Sequence, residues 1–173
     1  SVAFGAFSML VVFIIRDTRR FIATYQHQKR QKKEDKIEGL YSKALNAILA
    51  DDEPEARGYL EAVLKEEPGH EDALLRLGDM AAKRERHEEA NGYYRRALDT
   101  NRRNIEAMLS LEKLLQNTGR WKEALDLIDD LLDIDPDNLT ALHRKRMLLE
   151  REGRWDELID LQKLILKHAY TDR

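Results

Sequence analysis

The chain opens on fourteen uncharged residues, Val2 to Ile15, in which Ser8 is the single polar side chain, and changes character at Arg16. Beyond that point apolar positions recur at helical spacing, as in Leu74, Leu77 and Ala81, and again in Ala90, Tyr94, Ala97 and Leu98. Spacings of three and four residues place such side chains on one face of an α-helix. Turn and breaker signals separate these stretches: Asp51-Asp52-Glu53-Pro54, Pro68-Gly69, Gly119-Arg120, Pro136-Asp137-Asn138 and Gly153-Arg154. Pro54 suits the first turn of a helix, where a missing N–H costs nothing, behind an acidic residue able to cap it. No Gly or Pro interrupts residues 6 to 38, and good helix formers dominate 26 to 38, which predicts one stiff helix.

Comparison of the chain with itself at an offset of 34 residues aligns the whole of its second part. Leu40, Leu74, Met108 and Leu142 form one series; Ala56, Ala90, Ala124 and Leu158 form another; Leu64, Leu98, Leu132 and Leu166 a third. Four in-phase units result, 37–70, 71–104, 105–138 and 139–172, each a helical hairpin. A hairpin with apolar residues on several faces cannot bury them alone, so the units must stack into an all-α solenoid.

These residues resemble the tetratricopeptide repeat (TPR) family. Unit 71–104 is closest to the pattern, with Leu74, Leu77, Gly78, Ala81, Ala90, Tyr94 and Ala97, although Arg102 replaces the late Pro. Unit 37–70 supplies Leu40, Ala44, Ala56, Leu60 and Pro68, and unit 105–138 supplies Met108, Leu111, Leu115, Ala124, Ile128 and Pro136, with Glu112 where Gly is usual. Unit 139–172 departs most, with Lys145 and Arg146 at the Leu-Gly pair, Leu158 for Ala and Gln162 for the aromatic. The resemblance implies a concave groove lined by the first helix of each unit. Mapped here, it presents Tyr41, Leu45, Leu49, Leu75, Asp79 and Lys83, then Glu106, Leu109, Lys113, Gln116, Asn117, His143, Met147, Glu150 and Arg151. Such a groove fits an amphipathic helix or extended peptide of a protein partner; the alternative is that the preceding helix or an adjacent subunit covers it. Modules that grip chaperone tails need basic and Asn side chains where Tyr41, Leu45 and Glu106 stand, which argues against that role.

Charge divides the chain at the same place. The formal net charge of −3 is the sum of +5 over residues 1–36, eight basic against three acidic, and −8 over the remainder. Fourteen helical residues extend about 21 Å, short of the roughly 30 Å hydrocarbon core. Because the chain begins at Ser1 rather than Met, residues 1–15 are expected to be the inner part of a transmembrane helix whose beginning is missing. A buried core helix or a signal peptide are the alternatives, but a signal peptide carries its basic residues before the apolar run, not after it. Arg16, Arg19 and Arg20 then place the repeats on the cytoplasmic side. Phe21 and Tyr25, four apart on one face, fit the headgroup level, within a basic juxtamembrane helix over 16–36. Gly5, Ala6 and Ser8 are small enough to let membrane helices approach one another.

Catalytic and cofactor signals are absent. With no Cys there is no disulfide, thiolate nucleophile or Cys-ligated metal. His27, His70, His87, His143 and His168 form no pair at ligand spacing, and no phosphate-cradling Gly loop occurs. Asp133, Asp135 and Asp137 suggest a calcium loop, but Asn138 replaces its Gly and Arg144 its final Glu, so a helix end and turn explain them better. Trp121 and Trp155 begin second helices at equivalent positions and read as packing between units. The expectation is a non-enzyme without cofactor, metal or nucleic acid: an adaptor that fixes a protein-binding surface to a membrane. The alternative is a permanent subunit of a larger membrane complex. The layout is similar to that of the lipopolysaccharide assembly protein B family of bacterial inner-membrane adaptors, apart from the Cys-rich zinc ribbon that family carries; an organellar receptor with this layout is the other setting.

Overall fold

The structure is a computed structural model that describes residues 2–171, with the side chains of 16–166 except that of residue 23. Among these residues the chain forms eight α-helices and no strand. They are α1 (Val2–Leu49), α2 (Glu53–Glu66), α3 (Glu71–Lys83), α4 (His87–Thr100), α5 (Ile105–Asn117), α6 (Trp121–Ile134), α7 (Leu139–Glu152) and α8 (Trp155–Thr171). The all-α, repeat-built fold expected from the 34-residue phase is therefore present. The helices divide into two compact units, Ser1–Glu66 with α1 and α2, and Glu67–Arg173 with α3 to α8.

In the first unit α1 runs unbroken for 48 residues, about 72 Å, and continues through residues 36 and 37 as the one stiff helix expected there. Gly39 alone does not interrupt it, and every described side chain from Arg16 to Lys36 is exposed before Ile37 becomes the first buried one. Ile37, Ala44 and Ala47 of α1 and Ala56, Leu60 and Val63 of α2 form the core here. Lys36 closes it at the edge, its Nζ donating to Glu66 Oε1 at 2.6 Å. That ammonium holds the Glu66 carboxyl below the usual carboxylate range. Among the described residues no helix is long and apolar enough to cross a membrane. The run Val2 to Ile15, which carried the transmembrane expectation, belongs to α1, and its side chains lie outside the described set. Arg16 and Asp17 end the apolar stretch on its C-terminal side.

Each hairpin turns in the same way. Asp51, Glu85, Gly119 and Gly153, spaced by 34, adopt positive φ of 55°, 58°, 75° and 67°. The following amide reaches back to close the first helix: Asp52 to the Ala47 carbonyl (2.9 Å), Arg86 to Ala81 (2.9 Å), Arg120 to Leu115 (2.8 Å) and Arg154 to Leu149 (2.9 Å). These bonds, with the one from each positive-φ residue to the carbonyl three before it, make a Schellman closure that satisfies otherwise orphaned carbonyls. First helices of the second unit also start alike, with Ala73, Ala107 and Ala141 amides donating to His70 Nδ1, Asn104 Oδ1 and Asn138 Oδ1 at 3.2, 2.9 and 3.0 Å. Second helices start differently. Asp52 accepts the Glu55 amide at 3.0 Å, whereas Arg120 and Arg154 each make a two-bond fork to Glu123 and Glu157.

Size compensation across the hairpin governs the core of the second unit. Gly78 of α3 lies against the Tyr94 ring of α4, where an added Cβ would come within 2.4 Å of Tyr94 Cε1. One repeat later Ile128 takes the place of Tyr94, and the position of Gly78 is filled by Glu112, which is fully buried. Its carboxylate is paired with the Arg144 guanidinium of α7 and accepts from the Gln116 amide, while Arg144 also donates to the Leu109 carbonyl at 3.1 Å. A buried carboxylate without these partners would be strongly destabilising.

Candidate partner-binding surface

Three first-helix positions converge in the second unit because α3, α5 and α7 follow one another in phase. Asp79, Ala82 and Lys83 of α3, His87 and Tyr94 of α4, and Ser110, Lys113, Leu114 and Asn117 of α5 enclose a cavity of about 370 Å³. Beside it, Ile105, Glu106, Leu109, Ser110, Lys113 and Arg144 line a more open depression of about 540 Å³. Ser110 and Lys113 belong to both, so the two form one continuous polar and apolar surface.

The floor of the first cavity is an organised polar pair. The Tyr94 hydroxyl donates to Asp79 Oδ1 at 2.8 Å, and Arg76 Nη1 stands 3.8 Å from Asp79 Oδ2. Burial first, and then the hydrogen bond to Asp79, push the Tyr94 hydroxyl well above its ordinary value of 10, so it remains the neutral donor. His87 Nδ1 is buried with no hydrogen-bond partner. Lys113 is exposed and meets no carboxylate among the described residues.

The groove residues named from sequence separate into four settings. Asp79 and Lys113 meet at the first cavity, and Leu109 and Lys113 at the second. Leu75 is a core residue, 3% exposed, because its side chain points into the helix packing. His143 lies apart, with Leu139, Leu142, Arg146, Gln162, Ile165 and Leu166 around a cavity of about 460 Å³ between α7 and α8. Tyr41 and Leu45, half-buried, and the exposed Leu49 belong to α1 in the first unit. Arg16, Arg19, Arg20, Phe21 and Tyr25 are all exposed on the same helix. Sequence reasoning missed His87 and Tyr94 because it assigned the walls to first helices alone and read Tyr94 as core, and it missed Ser110, which stands on the first helix α5 between the mapped positions Leu109 and Lys113. Of the two tryptophans, Trp121 packs beneath the Arg151 guanidinium, 3.6 Å from its ring centre, and Trp155 is largely exposed. The acidic turn at Asp135 accepts the Asn138 side-chain amide at 2.9 Å. Among the described residues no group of three or more His, Asp or Glu is placed to hold a metal ion.

Comparison with known proteins agrees with this architecture. Two Tetratricopeptide repeat family profiles match, over residues 41–105 and 81–149. A tetratricopeptide repeat protein from Parabacteroides merdae superimposes with a TM-score of 0.70 at 23% identity, covering 77% of this chain and 53% of its own. The chain thus spans about half the length of that protein. A crystal structure of MamA gives 0.68 at 18% identity, over 84% of this chain and 85% of that one. The Arabidopsis OM64 TPR domain gives 0.61 at 17% identity, over 69% and 98%. At these identities the likeness is one of fold. None of the curated proteins is similar enough to count as a relative. With the repeat phase, the paired helices and the matching profiles in agreement, the chain belongs to the tetratricopeptide repeat family.

Proposed function

We propose that this protein is a non-enzymatic scaffold that binds a protein partner on the concave surface of its second unit and is held at a membrane by its N-terminal segment, with the repeats on the cytoplasmic side. Tetratricopeptide repeats serve in general as protein-interaction surfaces. The observation that carries the reading is the meeting of Asp79, Leu109 and Lys113 at two cavities that share a wall. Concave surfaces with a few polar groups among apolar ones are where peptides and small ligands seat. The anchoring half rests on the uncharged run Val2 to Ile15 followed by Arg16, Arg19 and Arg20 and by exposed Phe21, Ile22 and Tyr25. Basic residues flanking an apolar stretch are retained on the cytoplasmic face, and aromatic rings favour the headgroup level. In a bacterium the setting would be the inner membrane, as the similarity to lipopolysaccharide assembly protein B suggests.

A photo-reactive residue introduced at Leu109 or Lys113 should cross-link a partner in cells, whereas one at Asp126, exposed on α6, should not. Equal yields at all three positions would overturn the assignment. Carbonate-resistant sedimentation with membranes tests the anchor, and release into the soluble fraction would remove it. One observation favours a permanent subunit instead: Leu139, Met147, Trp155, Ile159 and Leu166 of the last hairpin are all exposed by half or more. Stoichiometric co-purification from detergent would support that reading.

A further inference from the structure

Helix α8 packs on α7, and among its described residues Leu161 is the one that is buried. Its exposed large residues are ordered rather than scattered. Trp155, Ile159 and Leu166, 58%, 51% and 56% exposed, fall with Gln162 at spacings of four, three and four. Such spacing draws a straight seam along one side of a helix, the pattern by which two helices pack lengthwise. Beside the seam lies an open furrow, where Leu139, Leu142 and His143 of α7 and Gln162, Ile165 and Leu166 of α8 line the cavity of about 460 Å³. A helix laid along α8 would cover seam and furrow together.

Charge along α8 selects which helix. Asp156, Glu157 and Asp160 precede Lys163 and Lys167, so α8 is acidic in its first half and basic in its second. Two such helices side by side set opposite charges together only when they run antiparallel; a parallel pair sets like against like. Asp156 and Lys163, seven residues apart, border the seam on the same side. Turned about a two-fold axis near Asp160 and Leu161, Trp155 comes beside Leu166 of the second copy, Ile159 beside its Gln162 and Asp156 beside its Lys163, each contact occurring twice. These charges are available. Asp156 is exposed and meets no cation among the described residues. Lys163 donates to Asp160 of its own helix at 3.0 Å, but those groups are 70% and 76% exposed, and a solvated pair of this kind is weak enough to exchange.

We propose that this face joins two copies of the chain, α8 against α8 in the antiparallel sense, with Trp155, Ile159 and Leu166 at the centre and two Asp156–Lys163 ion pairs at the border. The apolar side chains supply affinity and the charges supply direction. Gln162, polar in an otherwise apolar seam, fixes the register. None of these residues lines the cavities of α3 and α5, so the inference stands apart from the partner-binding reading.

The full chain, purified in detergent, is weighed by sedimentation velocity with the bound detergent accounted for, and two copies are expected. Asp156→Lys alone and Lys163→Asp alone each put like charges opposite one another twice, and should weaken self-association about tenfold or more. An equimolar mixture of those two variants restores opposite charges at both contacts, so it should regain the two-copy species with one chain of each. Ile159→Glu tests the seam without touching either charge; it should sediment as a single copy with the circular dichroism of the parent. A parent of one copy, whether alone or beside a companion of different sequence, would overturn the proposal. So would a two-copy species that persists in Ile159→Glu, or charge variants that fail to recover on mixing.

Discussion

Asp51, Glu85, Gly119 and Gly153 occupy one turn position four times over, and their chemistry is unequal. A left-handed backbone costs an ordinary L-residue roughly 1–2 kcal/mol, and a glycine there avoids the Cβ clash. Glu85→Gly should therefore raise the unfolding free energy by about 1 kcal/mol, less the greater entropy glycine has in the unfolded chain. Urea denaturation should show a higher midpoint with unchanged slope; a lower midpoint would show that the Glu85 side chain contributes more than its backbone strain. The Schellman turns at Gly119 and Gly153 were legible in sequence because glycine announces them. The turn at Asp51 was marked by the breaker Asp51-Asp52-Glu53-Pro54, whereas the one at Glu85 was hidden because only the 34-residue phase, not the residue type, points there. Gly78 has a different reason to be glycine: a Cβ would stand 2.4 Å from the Tyr94 ring. Gly78→Ala should cost about 1–3 kcal/mol by overpacking. In a Tyr94→Ile background, which reproduces the smaller residue of the next hairpin, the same change should cost much less. Thermal denaturation of the four proteins of that cycle measures the coupling, and additive losses would show that Gly78 matters for some reason other than the ring.

Between elements, α5 and α7 are joined by the buried Glu112 and its Arg144 partner, a link that replaces the glycine contact of the previous hairpin. Glu112→Ala removes the one carboxylate that the Arg144 guanidinium pairs with among the described residues and opens a void beside Gln116, so a loss of about 3 kcal/mol is expected. The double change with Arg144→Leu should recover part of it, since it removes the guanidinium that the single change leaves without its carboxylate. A double variant less stable than the sum of the single ones would contradict this. Sequence alone marked Glu112 as a departure from the repeat pattern; it could not supply Arg144, because the partner lies one unit away at an offset unrelated to helical spacing. In α1 and α2 the Lys36 and Glu66 pair works at the surface. Its hydrogen bond and then its charge hold the Glu66 carboxyl below the ordinary 4.5, so its stabilisation is present above that pH and fades as pH falls through the lowered folded value. Glu66→Gln should hence melt earlier than the parent near neutrality, and the two should converge as pH falls through the lowered folded value. A difference that persists in acid would assign the contribution to packing.

At the scale of the molecule, the phase of 34 revealed the paired helices, and helix-former content revealed the continuity of α1, since both are local or periodic signals. The division after Glu66 and the walls of the two cavities were not visible, because they depend on which faces meet in three dimensions: His87 and Tyr94 enter the surface from a second helix. The two units also differ in what they bury. The first relies on Ile37, Ala44, Ala47, Ala56, Leu60 and Val63, three of them alanines, while the second buries many leucines together with Tyr94, Met108 and Ile128. At about 1.5–3 kcal/mol for each large apolar side chain removed from water, the second unit has much the greater reserve against chain entropy. Repeat arrays gain stability from each interface between neighbouring hairpins, and α3 to α8 contain two such interfaces, α4 with α5 and α6 with α7. A fragment of residues 67–173 should consequently unfold in one cooperative transition with most of its helical signal. A fragment of residues 1–66 should lose helicity gradually on heating, as an isolated hairpin with a small core does. Circular dichroism melts of both fragments decide the matter: a sharp transition in 1–66, or none in 67–173, would mean that the stability of the chain resides at its N-terminal end.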